Sequence, residues 1–242
     1  MLFFVPGVFS QIFWIYILAA IIPAIFLLRY VYKHDTVEKE PVGLIGSLIL
    51  NGVAAALCSI VLEKIGSAIL NRTLSSASPY YIIVFAFLVV AAVEEGTKMF
   101  FLKRRTWKDW NFSHLYDGVV YSVSVSLGFA AFENIKYVFN YGLSVALTRA
   151  VSAVPAHLGF AVFMGICYGR AKLCENRENE FGKNMFLTLG YLSAVFLHGF
   201  YDACAMIGTT AANVVFLVFV AVMYVVVYRL IKKSSAEDRP VY

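Results

Sequence analysis

Ionisable side chains interrupt four apolar stretches of this sequence, and their types are those that activate water. The adjacent Glu94 and Glu95 follow the run "YYIIVFAFLVVAAV", and Lys98 comes one helical turn later. A charge inside a membrane helix costs about 2.5–3.5 kcal/mol on insertion scales, so its presence indicates a functional site. A local ion pair with Lys98 needs only one of the glutamates. Two close carboxylates raise each other's proton affinity, which suits a general acid or base.

Three later apolar stretches carry further ionisable residues. Glu133 and Asn134 lie in "LGFAAFENIKYVFN", where Lys136 offers Glu133 a local partner. His157 lies in "SAVPAHLGFAVFMG", two residues after Pro155. The proline predicts a kink that frees the carbonyl of residue 151. A single buried histidine is as often hydrogen-bonded to the backbone as it is functional, so its neighbours decide its role.

The fourth stretch, "LSAVFLHGFYDACAM", places His198 and Asp202 four residues apart, on one face of a helix. A carboxylate in this position orients an imidazole or joins it on a metal ion. A purely structural His–Asp pair is the alternative, although both residues are costly inside a membrane.

Convergence of these side chains would allow two chemistries. In the first, Glu94 or Glu95 activates a water molecule and a histidine stabilises the developing oxyanion. In the second, His157, His198 and Asp202 bind a metal ion, with zinc as the candidate, which lowers the pKa of a bound water. The sequence has no His-Glu-x-x-His motif, so the residues favour the glutamate-activated water, and the metal site stays open as an alternative.

Membrane-spanning helices must position these residues. Hydrophobic residues make up 61% of the 242 residues and charged residues 14%, against about 45–50% and about 25% in soluble domains. Seven segments have the roughly 20 apolar residues of a spanning helix: 9–29, 42–62, 80–102, 116–139, 146–169, 185–206 and 211–231. We therefore expect an all-α, polytopic membrane bundle of about seven transmembrane helices. Residues 1–231 form one membrane-embedded domain, and 232–242 form a polar, mobile tail. Whether the second helix extends to residue 70 is open.

Basic residues concentrate in alternate loops. "RYVYKHDTVEKE", "KRRTWKDW", "GRAKLCENRENEFGK" and the C-terminal tail are rich in Lys and Arg, whereas "NYGLSV" and "GTTAAN" have none. The positive-inside rule then puts the N-terminus outside and the C-terminus in the cytoplasm. The net charge of +5 is therefore a topology signal, and no nucleic-acid partner is expected. The four cysteines form no Cys-x-x-Cys pair, which argues against a disulfide framework or a zinc knuckle.

The motifs "EEGTK", "GFAAFEN", "AHLGFA" and "HGFYD" resemble, in this order, those of the PrsW intramembrane proteases, which are similar in turn to the CAAX prenyl endopeptidases. The resemblance extends over residues 92–203. It implies a multi-pass endopeptidase of the bacterial plasma membrane. The expected substrate is a single-pass membrane anti-sigma factor, whose first (site-1) cut releases an extracytoplasmic-function sigma factor in the envelope stress response.

The same resemblance implies roles for the residues above. Glu94 and Glu95 would activate water, while His157, His198 and Asp202 would bind or polarise the substrate or a metal ion.

One position departs from the CAAX pattern. Those enzymes carry Phe-x-x-x-His, whereas this sequence has Phe129 followed by Glu133. The CAAX mechanism therefore does not transfer directly, and Glu133 joins the candidate catalytic residues. Three other readings stay open: a CAAX-protease-like endopeptidase with another substrate, a proton-coupled transporter and a non-catalytic scaffold. Paired acids and histidines also form proton relays in transporters. Many transporters consist of two repeated halves, whereas this sequence shows no internal repeat and its seven expected spans do not divide into two equal halves.

Overall fold

The computed structural model describes residues 6–242, with side chains from residue 11 onward, so the first five residues of the expected 1–231 domain lie outside it. The helices are α1 Pro6–His34, α2 Val42–Thr73, α3 Tyr81–Val84, a π-helical segment Phe85–Ala91, α4 Ala92–Thr106, α5 Asp117–Tyr141, α6 Leu143–Val151, α7 Ala153–Asn176, α8 Glu180–Ile207 and α9 Thr210–Ala236. Because α3, the π-helical segment and α4 follow one another directly, they form one continuous helical run.

All seven apolar segments of the sequence lie in helices, which confirms an all-α membrane bundle. Five stretches are long and apolar enough to cross a membrane by length and composition: Gln11–His34, Val42–Thr73, Asp117–Tyr141, Leu143–Asn176 and Thr210–Ala236. The helical run that carries Glu94 and the helix α8 that carries His198 are the other two expected spans, and the number of seven transmembrane helices stays a prediction.

Helices α2 and α9 are longer than the apolar pattern predicts. Helix α2 continues to Thr73, past residue 70, and α9 continues to Ala236, so α9 includes residues 232–236 of the expected tail. Polar residues extend both helices because backbone hydrogen bonds continue where the apolar face has ended.

The last residues of the chain contact the loop before α5. The backbone N–H of Leu115 donates to Arg239 O at 3.0 Å, and that of Val241 donates to Ser113 O at 2.9 Å. Val241 is fully buried, and the Asn176 side chain donates to its carbonyl at 3.0 Å. The tail thus packs on the loop before α5 by backbone pairing, which its polar composition does not reveal.

The expected kink near Pro155 is a full break. Helix α6 ends at Val151 and α7 begins at Ala153, with Ser152 between them at φ −124° and ψ −72°. Proline has no N–H, and its ring clashes with the carbonyl four residues earlier, which favours a break at this point. The freed carbonyl of Val151 accepts a hydrogen bond from the Tyr224 hydroxyl.

Helix α5 is the centre of the bundle and packs against α1, α2 and α7. Its buried residues run without interruption from Asp117 to Ala130. A Cβ on Gly118 would lie 2.6 Å from the carbonyl oxygen of Gly165 on α7, and one on Gly128 would lie 2.3 Å from that of Ile49 on α2. Small residues thus let three helix backbones touch, as is common between membrane helices.

The π-helical segment positions α8 beside α4. A Cβ on Gly199 would lie 2.5 Å from the Phe87 ring, so α8 approaches the segment closely only because residue 199 is glycine. The hydroxyl of Tyr191 on α8 also donates to Ala92 O at 2.9 Å, next to the paired glutamates. Single π-helical turns inside α-helices often mark functional sites.

Candidate active site

Glu94 and Glu95 lie in the first turn of α4, directly after the π-helical segment, and are only 6% and 0% exposed. Lys98 Nζ donates to Glu94 Oε2 at 3.3 Å and to Glu95 Oε1 at 2.7 Å, so the local ion pair is present. Lys98 Nζ also lies 3.2 Å from His157 Nδ1 and 4.1 Å from the centre of the Phe129 ring. The ion pair is therefore part of a larger buried group.

His198 on α8 joins this group through both ring nitrogens. Its Nδ1 lies 2.8 Å from Glu95 Oε1, and its Nε2 lies 3.3 Å from Asp202 Oδ2 and 3.9 Å from Glu94 Oε2. The ring stacks on Phe160 of α7, with 4.8 Å between the centroids. Carboxylates on either side and an aromatic ring below fix the plane of this imidazole.

His157 on α7 connects Lys98 to Glu133 of α5. Its Nδ1 faces Lys98, and its Nε2 lies 3.0 Å from Glu133 Oε2. The hydroxyl of Ser126 donates to the backbone carbonyl of His157 at 2.9 Å, which fixes this turn of α7 against α5. Because lysine only donates, Nδ1 accepts from Lys98, and the proton on Nε2 goes to Glu133.

A cavity of about 220 Å³ opens beside these groups and is lined by Glu94, Glu133, His157, His198 and Asp202. The sixth candidate residue, Glu95, lies behind the cavity wall, where it binds Lys98 and His198. All six residues expected from the sequence therefore come together, although four helices supply them. The two adjacent glutamates have different environments: one faces the cavity and the other faces the protein interior.

The structure also places residues at the site that the sequence did not single out. Arg149 on α6 donates to Glu133 Oε2 at 2.8 Å. Glu63 on α2 lines the cavity, as do Tyr137 and Tyr201. A signal existed for Glu63, which is an acid inside a long apolar helix, but its distance from the conspicuous motifs concealed it. Arg149 lies near the start of the expected span 146–169, where a charge close to the end of an apolar segment was not singled out.

Four buried side chains could hold a metal ion: Glu94, Glu95, His157 and His198 each offer a ligand atom, all within 4.8 Å of one another. Two imidazoles and two carboxylates are a donor set that zinc accepts. Among the described residues, Glu95 Oε2 is buried without a hydrogen-bond partner, so one carboxylate oxygen of this group is free to bind a metal ion. The donor types and burial therefore fit a divalent ion.

This group lacks one member of the set expected from the sequence and contains two others, Glu94 and Glu95. It contains the two histidines, but Asp202 stands outside it and contacts His198 Nε2 instead. Lys98 contacts three of the four potential ligands, so an ammonium group would adjoin any bound ion.

A helical membrane bundle that encloses carboxylates, imidazoles and an open cavity is compatible with an intramembrane hydrolase. Comparisons with known proteins specify the family. The sequence model described as "PrsW family intramembrane metalloprotease" matches residues 40–230, and the chain belongs to this family. It is a multi-pass bacterial membrane peptidase.

Several curated relatives carry the name Protease PrsW. The one from Geobacillus kaustophilus is 34% identical, over 76% of this chain and 76% of the relative. The one from Oceanobacillus iheyensis is 31% identical, over 90% of this chain and 94% of the relative. The one from Bacillus subtilis is 32% identical, over 76% of this chain and 79% of the relative. No solved structure matches this chain.

Proposed function

We propose that this protein makes the first (site-1) cut in a single-pass membrane anti-sigma factor, and so releases an extracytoplasmic-function sigma factor during envelope stress. The observation that carries the proposal is the cavity in which Glu94, His157 and His198 converge. A cavity of about 220 Å³ accepts a short extended peptide segment rather than a folded domain. A single-pass protein presents such a segment next to its transmembrane helix.

Glu94 is the proposed general base, because it combines burial with a cavity-facing carboxylate. It accepts a proton from water as the water oxygen attacks the peptide carbonyl carbon. It then returns this proton to the leaving nitrogen, so that one water molecule and one peptide bond give an acid and an amine. His198, on the cavity wall 3.9 Å from Glu94, is placed to stabilise the carbonyl oxygen as negative charge develops there.

Glu95 and Asp202 have supporting roles in this proposal. Glu95 fixes Nδ1 of His198 and neutralises Lys98, while Asp202 fixes the other ring nitrogen. Such contacts hold a catalytic imidazole in one orientation.

The family description also implies a metal ion. Glu94, Glu95, His157 and His198 are the residues that would hold it, with zinc as the candidate. When bound, the ion would supply Lewis-acid polarisation of water or of the peptide carbonyl.

The membrane orientation is part of the proposal: N-terminus outside, C-terminus in the cytoplasm. The loop at 35–41, the loop at 107–116 and the C-terminal tail meet at one end of the bundle, because Ser113 donates to Glu38 and the N–H of Leu115 donates to Arg239 O. This is the end that carries the basic loops. Single cysteines at Ser76 and Lys108, in a background that lacks the four native cysteines, test the orientation. A membrane-impermeant reagent added outside should label position 76 and miss 108, and the reverse pattern would invert the topology.

A reconstitution assay tests the function. Purified protein in liposomes is mixed with single-pass anti-sigma factors and with single-pass proteins of unrelated function, and Glu94→Gln serves as the inactive match. We expect one cut in an anti-sigma factor, absent with Glu94→Gln. Equal cutting of all single-pass proteins would reject the anti-sigma assignment, and no cutting of any peptide would reject the peptidase mechanism for this site.

A further inference from the structure

Arg149 reaches the candidate active site from outside the long helices. It lies on α6, the short helix before the break at Ser152, and its side chain is 13% exposed. The guanidinium donates through Nη2 to Glu133 Oε2 at 2.8 Å and through Nε to Asn134 Oδ1 at 2.9 Å. It also lies 3.9 Å from the centre of the Tyr137 ring. Three residues of α5 thus hold one arginine.

The contact with Glu133 leads directly to a site histidine. Glu133 Oε2 accepts from Arg149 and, at 3.0 Å, lies against His157 Nε2. One carboxylate oxygen therefore joins the guanidinium to the imidazole. Since His157 Nδ1 faces Lys98 at 3.2 Å, the Glu133 contact sets the tautomer that carries its proton on Nε2. A displaced Glu133 would leave the ring free to rotate.

The arginine is itself held by a second helix. Asn134 accepts from Arg149 and donates through Nδ2 to Ala20 O of α1 at 2.9 Å, and it is fully buried. The neighbours Glu133 and Asn134 thus have different roles: the carboxylate of Glu133 contacts His157, and the amide of Asn134 links Arg149 to α1.

We propose that Arg149 is a positioning residue of the hydrolytic site: it holds Glu133 in place, and Glu133 fixes the orientation and tautomer of His157. The inference rests on the proposed function of the site. The competing interpretation is that Arg149 only fastens α6 to α5, in which case its loss would lower stability and leave His157 unchanged.

Kinetics give the first readout. Arg149→Gln should lower kcat by about 10- to 100-fold, as is common for residues that support a ligand or catalytic imidazole, with KM changed less than about twofold. Because Arg149 acts through Glu133, the double variant Arg149→Gln/Glu133→Gln should be no slower than Glu133→Gln alone. Additive losses would overturn the proposal. Arg149→Lys keeps the charge without the two-pronged contact and should recover part of the rate.

Arg105 offers a matched control. It too binds one carboxylate and one neutral side chain, Asp109 and Ser47, but at the opposite end of α4 from the paired glutamates. Arg105→Gln should leave kcat unchanged. An equal loss of rate in Arg105→Gln and Arg149→Gln would mean that removal of any such arginine disturbs the fold, and the proposal would fail.

A spectroscopic readout is independent of activity. The chain has four histidines, so ¹⁵N-histidine NMR of metal-free protein gives few signals, and His157→Gln identifies those of His157. Arg149→Gln should change the ring-nitrogen shifts of His157, and Arg105→Gln should not. Unchanged shifts in a folded Arg149→Gln protein would overturn the proposal, even if no peptide is ever cut. If Arg149→Gln does not accumulate in the membrane, Arg149→Lys carries the same comparison.

Discussion

Substitution by glutamine should have a different effect at each of the two adjacent glutamates. Glu95 is 0% exposed and accepts from two cationic or protonated partners, Lys98 at 2.7 Å and His198 at 2.8 Å. Glu94 has a weaker contact with Lys98, at 3.3 Å, and faces the cavity. Glu95→Gln should therefore mainly reduce stability, and Glu94→Gln should mainly reduce turnover.

The magnitudes follow from the environments. Removal of one partner from a buried charge pair costs about 3–5 kcal/mol, because the remaining charge stays buried. Each kcal/mol lowers the melting temperature of a protein of this size by about 2–4 °C. We thus expect Glu95→Gln to melt about 6–12 °C lower at the lower bound of that cost. In Glu94→Gln, Lys98 keeps its shorter bond to Glu95, so the melting temperature should fall much less. Loss of a general base should reduce kcat by about 10²- to 10⁴-fold.

Both quantities can be measured on the same detergent-solubilised samples, by thermal unfolding and by cleavage of a quenched fluorescent peptide. Glu180→Gln is the control, because this carboxylate on α8 is 70% exposed and distant from the cavity. Wild-type turnover in Glu94→Gln would remove this residue from the mechanism. A Glu95→Gln protein that melts like wild type would refute the distinction between a cavity-facing and an interior glutamate.

Three other predictions test different parts of the molecule. Burial raises the pKa of Asp35, in the loop after α1, from its usual 3.8 to about 6, and both its oxygens lack a partner among residues 6–242. Its contribution to stability is therefore full below about pH 4 and is lost as the pH rises through 6. Asp35→Asn should make the melting temperature less dependent on pH in this range, and an unchanged dependence would contradict the prediction. A Cβ on Gly165 would lie 2.6 Å from Gly118 O, so Gly165→Ala should lower the free energy of unfolding by about 1–3 kcal/mol. Gly46→Ala is the control: its added carbon has no described atom within 4 Å, and it should lower the free energy of unfolding by less than about 0.5 kcal/mol. If the enzyme uses a metal, chelation should abolish activity, zinc should restore it, and His157→Ala should lower bound zinc by mass spectrometry; full activity without metal would instead support water activation by glutamate alone.

Helical spacing was sufficient to predict the local contacts of the site. Lys98 binds the glutamates three and four residues before it, and His198 meets Asp202 four residues later, as an α-helix requires. The apolar pattern also located every long helix, because about 20 apolar residues are needed to cross a bilayer. Contacts within one helix and the location of helices in a membrane can therefore be predicted from one sequence.

The contacts between helices were not predictable in the same way. His198 and Glu95 are 103 residues apart and meet because Gly199 admits the Phe87 ring. A glycine allows another helix to approach closely, but the sequence does not indicate which helix packs against it. The position of Arg149 depends on the break at Ser152, and the predicted kink gave no direction for α6. For the same reason, the packed tail at Val241 had no sequence signal.

The charges of the site explain why two chemistries remain compatible with one set of residues. Four carboxylates, Glu94, Glu95, Glu133 and Asp202, face two permanent cations, Lys98 and Arg149, so the group has a formal charge of −4 + 2 = −2 with neutral histidines. A buried group strongly favours neutrality, because uncompensated charge is costly away from water. One proton on His198 and one on a carboxylate would complete the balance, and so would one divalent ion. The excess negative charge can thus be neutralised by protons, which leaves water activation to glutamate alone, or by a metal ion, which allows metal-assisted hydrolysis. Lys98 is compatible with both, because its single charge offsets one of the two adjacent glutamates and leaves the other to be balanced.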